Sequence, residues 1–188
     1  MAADLPCPHA RYGQHDGGMP QMSVAELLVD GFGRIREVVH EVLDGLTLED
    51  LTYRADEQAN SIDWLIWHLT RVQDDHVATA AGVEQVWPEG WMQRAGLPFA
   101  ATEIGYGQDP VLVAEVRLPP DLLVGYHDAT YAQTISFVNG LRDADLSRIV
   151  DRAWDPPVTL GVRLVSVLSD DLQHAGQAAF IRGLIERR

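Results

Sequence analysis

The chain has 188 residues, 46% of them hydrophobic and 22% charged, which is enough for a real core and excludes a disordered polymer. Its 28 acidic residues outweigh 14 basic ones, a formal charge of -14, and no Lys/Arg run exists to neutralise phosphates. That balance argues against nucleic acid and anionic membrane surfaces as partners and favours a small molecule or a protein.

The opening residues hold Pro6, Pro8, Gly13, Gly17, Gly18 and Pro20 with little periodicity, so 1–20 is predicted to be an irregular arm and 21–188 the folded domain. No signal-peptide pattern stands at the start, no apolar run reaches the length of a membrane span, and the single cysteine, Cys7, cannot form an internal disulfide. Together these predict a cytoplasmic protein. A first helix is expected from Ser23, because Ser23-Val24-Ala25-Glu26 is a capping-box pattern. Val24, Leu27, Leu28, Phe32, Ile35, Val39, Val42 and Leu46 then recur at helical steps as one apolar stripe, with His40 off it and exposed.

A second helix is predicted over 61–81, capped by Asn60 and buried through Ile62, Leu65, Ile66, Leu69 and Val72. The span 83–119, broken by Pro88, Gly90, Pro98, Gly105, Gly107, Pro110 and Pro119, is a long connection in which Trp87 and Trp91 should pack on the body. A third helix follows Pro120 or Asp121 and stops near Asn139-Gly140. The fourth starts near Thr159, with Leu164, Val167, Leu168, Leu172, Ala175, Ala178, Ile181 and Ile185 facing inward. Four helices without β alternation predict an all-α, antiparallel four-helix bundle with its long connection between helices 2 and 3. A faint echo, Gly45-Leu46-Thr47-Leu48-Glu49-Asp50-Leu51 against Gly140-Leu141-Arg142-Asp143-Ala144-Asp145-Leu146, divides the chain into two helix pairs or reflects one turn used twice.

The chemistry-bearing residues sit on the second helix of each pair. Asp170 and His174, four residues apart, lie about 40° apart around the fourth helix and can reach one ion, with His68 supplied by the second helix. A salt-bridged helix pair gives the same spacing. Asp171, three residues before His174, is a substitute ligand, His127 on the third helix an extra one, and Gln177 a hydrogen-bonding support. Trp64 and Trp67 flank His68 as walls, and Asp74-Asp75-His76 reads as a solvated helix end rather than a second metal cluster. His9, His15 and Cys7 carry no inferable geometry.

Asn60-Ser61-Ile62-x-Trp64-Leu65-x-x-His68-Leu69, followed by Asp170-x-x-x-His174-x-Gly176-Gln177, resembles the DinB-like superfamily over residues 23–186. The likeness is to the branch of mycothiol-dependent transferases and maleylpyruvate isomerase. It implies a four-helix bundle, a divalent metal (zinc, or nickel) on His68, Asp170 and His174, and a low-molecular-weight thiol such as mycothiol as cosubstrate. Asp170 departs from the histidine or glutamate usual there, and its shorter reach is what leaves Asp171 in contention. The implied activity is S-transfer of the thiol to a small electrophile, or isomerisation by reversible addition. A metal-assisted hydrolase and a non-catalytic stress-response or binding scaffold are the alternatives, and a homodimer is a candidate assembly.

Overall fold

The first capping signal is used as written. Glu26 accepts the backbone N–H of Ser23 and the Ser23 hydroxyl accepts that of Glu26, and α1 runs Val24–Leu43. The computed structural model describes residues 22–188; the predicted arm, with Cys7, His9 and His15, lies outside them. After α1 come a single turn α2 (Leu48–Leu51), then α3 (Ile62–Ala81), a wide turn at Trp87–Trp91 leading into α4 (Met92–Ala95), α5 (Pro110–Val113) and α6 (Pro120–Val138). A 3-10 turn (Asp143–Ser147) and a hairpin of β1 (Ile149–Asp151) and β2 (Val158–Thr159) precede α7 (Leu160–Ile185). The four predicted helices are therefore α1, α3, α6 and α7. Strands of two and three residues are too short to leave an alternation signal, so the hairpin was not foreseen.

The internal echo has a physical basis. In both segments an aspartate three residues on accepts a backbone N–H: Thr47 N to Asp50 Oδ2 at 2.9 Å, and Arg142 N to Asp145 Oδ2 at 2.8 Å. Each thereby closes a short helical turn after a long helix. Local readings fail in small ways elsewhere. Ser61, not Asn60, caps α3. Leu27 and Leu172, placed on apolar stripes by spacing, are 59% and 50% exposed. His40 is held by Asp128 on α6, Nε2 to Oδ1 at 2.8 Å, instead of standing free.

Around the bundle α1 packs on α6 and α7, and α3 packs on the same two, so α1 and α3 occupy opposite corners. Antiparallel packing holds between α1 and α6, where Arg36 and His40 meet Asp128 and Gly33 faces Tyr131, and between α3 and α7, where His76 faces Arg163 and His68 faces Asp170. The other neighbours run the same way. Gly31 lies by Leu168 while Arg182 reaches the carbonyls of Val42 and Asp44, so α1 and α7 are parallel. Thr70 meets His127 and Gln73 meets Thr134, so α3 and α6 are parallel too. A parallel pair needs a connection that travels the length of the bundle. Residues 82–119 are that crossover.

The crossover is laid back along α3. Asp74 accepts the N–H groups of Val86 and Trp87 and the Tyr126 hydroxyl, each at 2.8 Å. Arg71 donates to the carbonyls of Ala101 and Glu103, His68 meets that of Ile104, and Trp64 Nε1 donates to Gln108 at 2.7 Å. Residues 64, 68, 71 and 74 form one helix stripe, and the crossover climbs it. Asp74 is thus a buried anchor, which corrects the expectation of a solvated helix end. Trp67 is walled in by Trp87 and Phe99 from the same connection.

At the start of α3 the buried Asp63 carboxyl accepts from the Ser61 hydroxyl at 2.5 Å and the Trp64 N–H at 2.8 Å. Burial outweighs these bonds and pushes its pKa from 3.8 up to about 7. The folded chain therefore holds a proton there that the unfolded chain has lost. The associated stability is full below pH 3.8 and is lost as pH rises to about 7. Asp63→Asn keeps the acceptor without the charge. Denaturant melts of the metal-free variant should show its stability falling less between pH 4 and 7 than that of the parent, with a gain on the order of a few kcal/mol at pH 8. Parallel pH profiles for the two proteins would contradict this.

Candidate metal centre

Folding brings His68 of α3 against Asp170 and His174 of α7. One ligand atom from each lies within 4.8 Å of the others. His68 Nε2 is 3.9 Å from Asp170 Oδ2, His174 Nε2 is 3.7 Å from Asp170 Oδ1, and the two imidazole centroids are 4.8 Å apart. The i, i+4 relation on α7 and the antiparallel approach of α3 produce this convergence together.

The far nitrogen of each ring is engaged. His68 Nδ1 meets the carbonyl of Ile104 at 2.5 Å and His174 Nδ1 meets Gln177 Oε1 at 3.1 Å. A carbonyl oxygen only accepts, so each Nδ1 carries a proton, and each Nε2 faces Asp170. Burial depresses the His68 pKa, helped by the neighbouring His174 and opposed by the Ile104 bond and Asp170, so the ring is neutral at pH 7. Asp170 Oδ2 is buried with no hydrogen-bond partner. Two imidazoles, one orphaned carboxylate oxygen and outer hydrogen bonds fixing both rings make a donor set that fits a divalent ion.

The crossover shapes this place as well. Trp64 stacks on His68 with centroids 4.6 Å apart and planes at 17°, and meets His174 edge-on at 6.2 Å. Gly105 has φ +89, and a Cβ there would stand 2.9 Å from His68 Nδ1 and 3.1 Å from Trp64 Cζ2. Only glycine lets the backbone approach closely enough for Ile104 to hold the ring. Glu103 Oε1 accepts the Gly105 N–H at 2.7 Å and steadies the turn. Nothing in the sequence marked Ile104 or Glu103, because one acts through its carbonyl and the other through a local turn; Gly105 was visible only as one of several loop glycines.

The remaining candidates separate. Asp171 points away from the triad, fully buried with neither carboxylate oxygen hydrogen-bonded, and burial and the Asp170 charge push its pKa well up. His127 is buried, and its Nδ1 sits 3.1 Å from the Thr70 hydroxyl, which itself donates to Ile66 O at 2.7 Å. Burial lowers its pKa to about 4, so it is neutral and lies outside the triad. Gln177 does touch a ligand candidate, through the His174 ring. Trp64 walls the place, while Trp67 anchors the crossover.

A family model described as mycothiol-S-transferase matches residues 27–187. The chain belongs to that family. Its DinB-like, all-α fold and its motifs on α3 and α7 are those the family resemblance implied. No curated protein matches the chain. A crystal structure of a conserved protein from Enterococcus faecalis is similar at 28% identity and a TM-score of 0.82, covering 89% of this chain and 100% of the other. No helix among the described residues is long and apolar enough to cross a membrane.

Gln177→Ala removes the acceptor that orients His174, and Gly105→Ala forces Ile104 off His68. Each should weaken metal affinity by roughly 10- to 100-fold, whereas Asp171→Asn should leave it unchanged. Competition with a chromogenic chelator measures these beside Asp170→Ala, and a larger loss for Asp171→Asn than for Asp170→Ala would shift the ligand role to Asp171.

Proposed function

We propose that the protein is a metal-dependent thiol S-transferase in which His68, Asp170 and His174 hold a divalent ion, zinc first and nickel second. The observation that carries this is the convergence of three ligand atoms within 4.8 Å, with both imidazoles already oriented through Nδ1. Two nitrogens and one oxygen leave a fourth position free, as catalytic zinc sites do. When bound, such an ion lowers the pKa of a coordinating thiol, so that it is a thiolate at neutral pH.

The chain's own residues supply orientation and shelter. Ile104 and Gln177 keep the protons on Nδ1, and Trp64 lies flat on His68 and excludes water from one side. No cysteine occurs among the described residues, and Cys7 is the only one in the sequence, so the sulfur comes from a cosubstrate. Family membership makes mycothiol the leading thiol. The sulfur forms a bond to the electrophilic carbon, the leaving group departs with its electron pair, and the thiol proton passes to solvent. A hydrolase would need a general base beside the centre. Asp171 and His127 are both fully buried and neither joins the three-residue cluster, which disfavours either as that base.

Purified protein should carry up to about one divalent ion per chain, and His174→Ala should lose nearly all of it while the circular dichroism spectrum stays helical. Transfer to 1-chloro-2,4-dinitrobenzene should require both metal and thiol, survive Cys7→Ala, and fall by at least about 100-fold in His68→Ala. Elemental analysis beside steady-state assays with several thiols checks this. Full transfer by metal-free protein would overturn the mechanism.

A further inference from the structure

Beside the triad, between the end of α7 and the start of α3, lies a groove of about 490 Å³. That volume suits a small organic molecule. Leu65, Phe180 and Ile181 give it apolar walls, Asn60, Gln173 and Gln177 contribute amides, and no charged side chain lines it. In a chain of net charge -14, an uncharged lining points to an uncharged ligand. Gln177 belongs to both places, since it lines the groove and bonds the His174 ring.

Gly176 is part of the lining. It lies inside α7, and a Cβ built on it meets nothing within 4 Å. Packing therefore does not demand glycine here, and glycine is a poor helix former. Its effect is to keep that side of the groove open where a side chain would otherwise stand. Phe180, one turn on, is 65% exposed and offers its ring as a wall of the groove.

We propose that this groove binds the uncharged, apolar body of the electrophile, an aryl or alkyl group, and delivers its reactive carbon to the thiol at the metal centre. The inference rests on the transferase reading, and it assigns the groove to the electrophile rather than to the thiol. A leucine at Gly176 would occupy the groove without disturbing the bundle, and an alanine at Phe180 would remove one wall.

The test uses the full chain and two readouts. In the first, the uncharged fluorophore N-phenyl-1-naphthylamine is titrated into the parent, Gly176→Leu, Phe180→Ala and His68→Ala. It should bind the parent and His68→Ala alike, at least about 10-fold more weakly to Gly176→Leu, and several-fold more weakly to Phe180→Ala. In the second, Gly176→Leu should raise the KM for 1-chloro-2,4-dinitrobenzene by a similar factor and leave the thiol KM and the metal content unchanged. Gly176→Ala should melt about 3 °C higher than the parent, which shows that the position tolerates a side chain. Equal fluorophore binding by parent and Gly176→Leu would overturn the groove assignment, and so would a rise in the thiol KM alone. Absence of transfer with any thiol, with fluorophore binding intact, would overturn the transferase reading and leave the groove as an apolar-ligand site.

Discussion

The parallel course of α3 and α6 is the constraint from which the candidate centre follows. Two parallel neighbours cannot be joined by a tight turn, so residues 82–119 have to climb the bundle. They do so on α3, where Asp74, Arg71, His68 and Trp64 offer successive partners. This explains a helix that would otherwise look miscomposed. His68, Arg71, Gln73 and Asp74 are buried on α3 beside Trp67, Leu69 and Ile66. Burying a polar group is costly unless it is partnered, and the crossover's backbone partners Arg71, Asp74 and His68.

The same strap sets the chemistry of His68. A histidine on a bundle helix is free to choose its tautomer and rotamer. Here the Ile104 carbonyl and the Trp64 face remove both choices, and the bare backbone at Gly105 makes that approach sterically feasible. On the opposite helix Gln177 does the same for His174 from within α7. One imidazole is oriented by tertiary structure and the other by helical spacing. The two rings therefore differ in how they would respond to damage: loosening the crossover affects His68 alone.

The two adjacent aspartates show how much a 100° rotation matters. Asp170 and Asp171 differ by one position, yet one turns its two carboxylate oxygens toward two imidazoles and the other is fully buried without a hydrogen-bond partner, where ionisation is disfavoured. At Asp170 α3 and α7 approach closely, and His68 and His174 stand ring to ring there. The burial of Asp171 also narrows the chemistry, because it withdraws a candidate general base from contact with a substrate.

What could be read from the sequence were the features with local causes. The capping box at Ser23, the helix spans, the i, i+4 pairing of Asp170 with His174, and the motif around His68 all express short-range geometry that periodicity and side-chain chemistry record directly. The family followed from the same short motifs. Features that depend on chain direction and backbone placement were decided by the tertiary structure. The parallel pairs, the strap on α3, the burial of Asp74 and the Ile104 carbonyl on His68 join residues 12 to 36 positions apart or more, through groups whose identity leaves no pattern. Leu27 and Leu172 satisfy the helical period yet face solvent, because a period states which residues share a face and only packing states which face is covered.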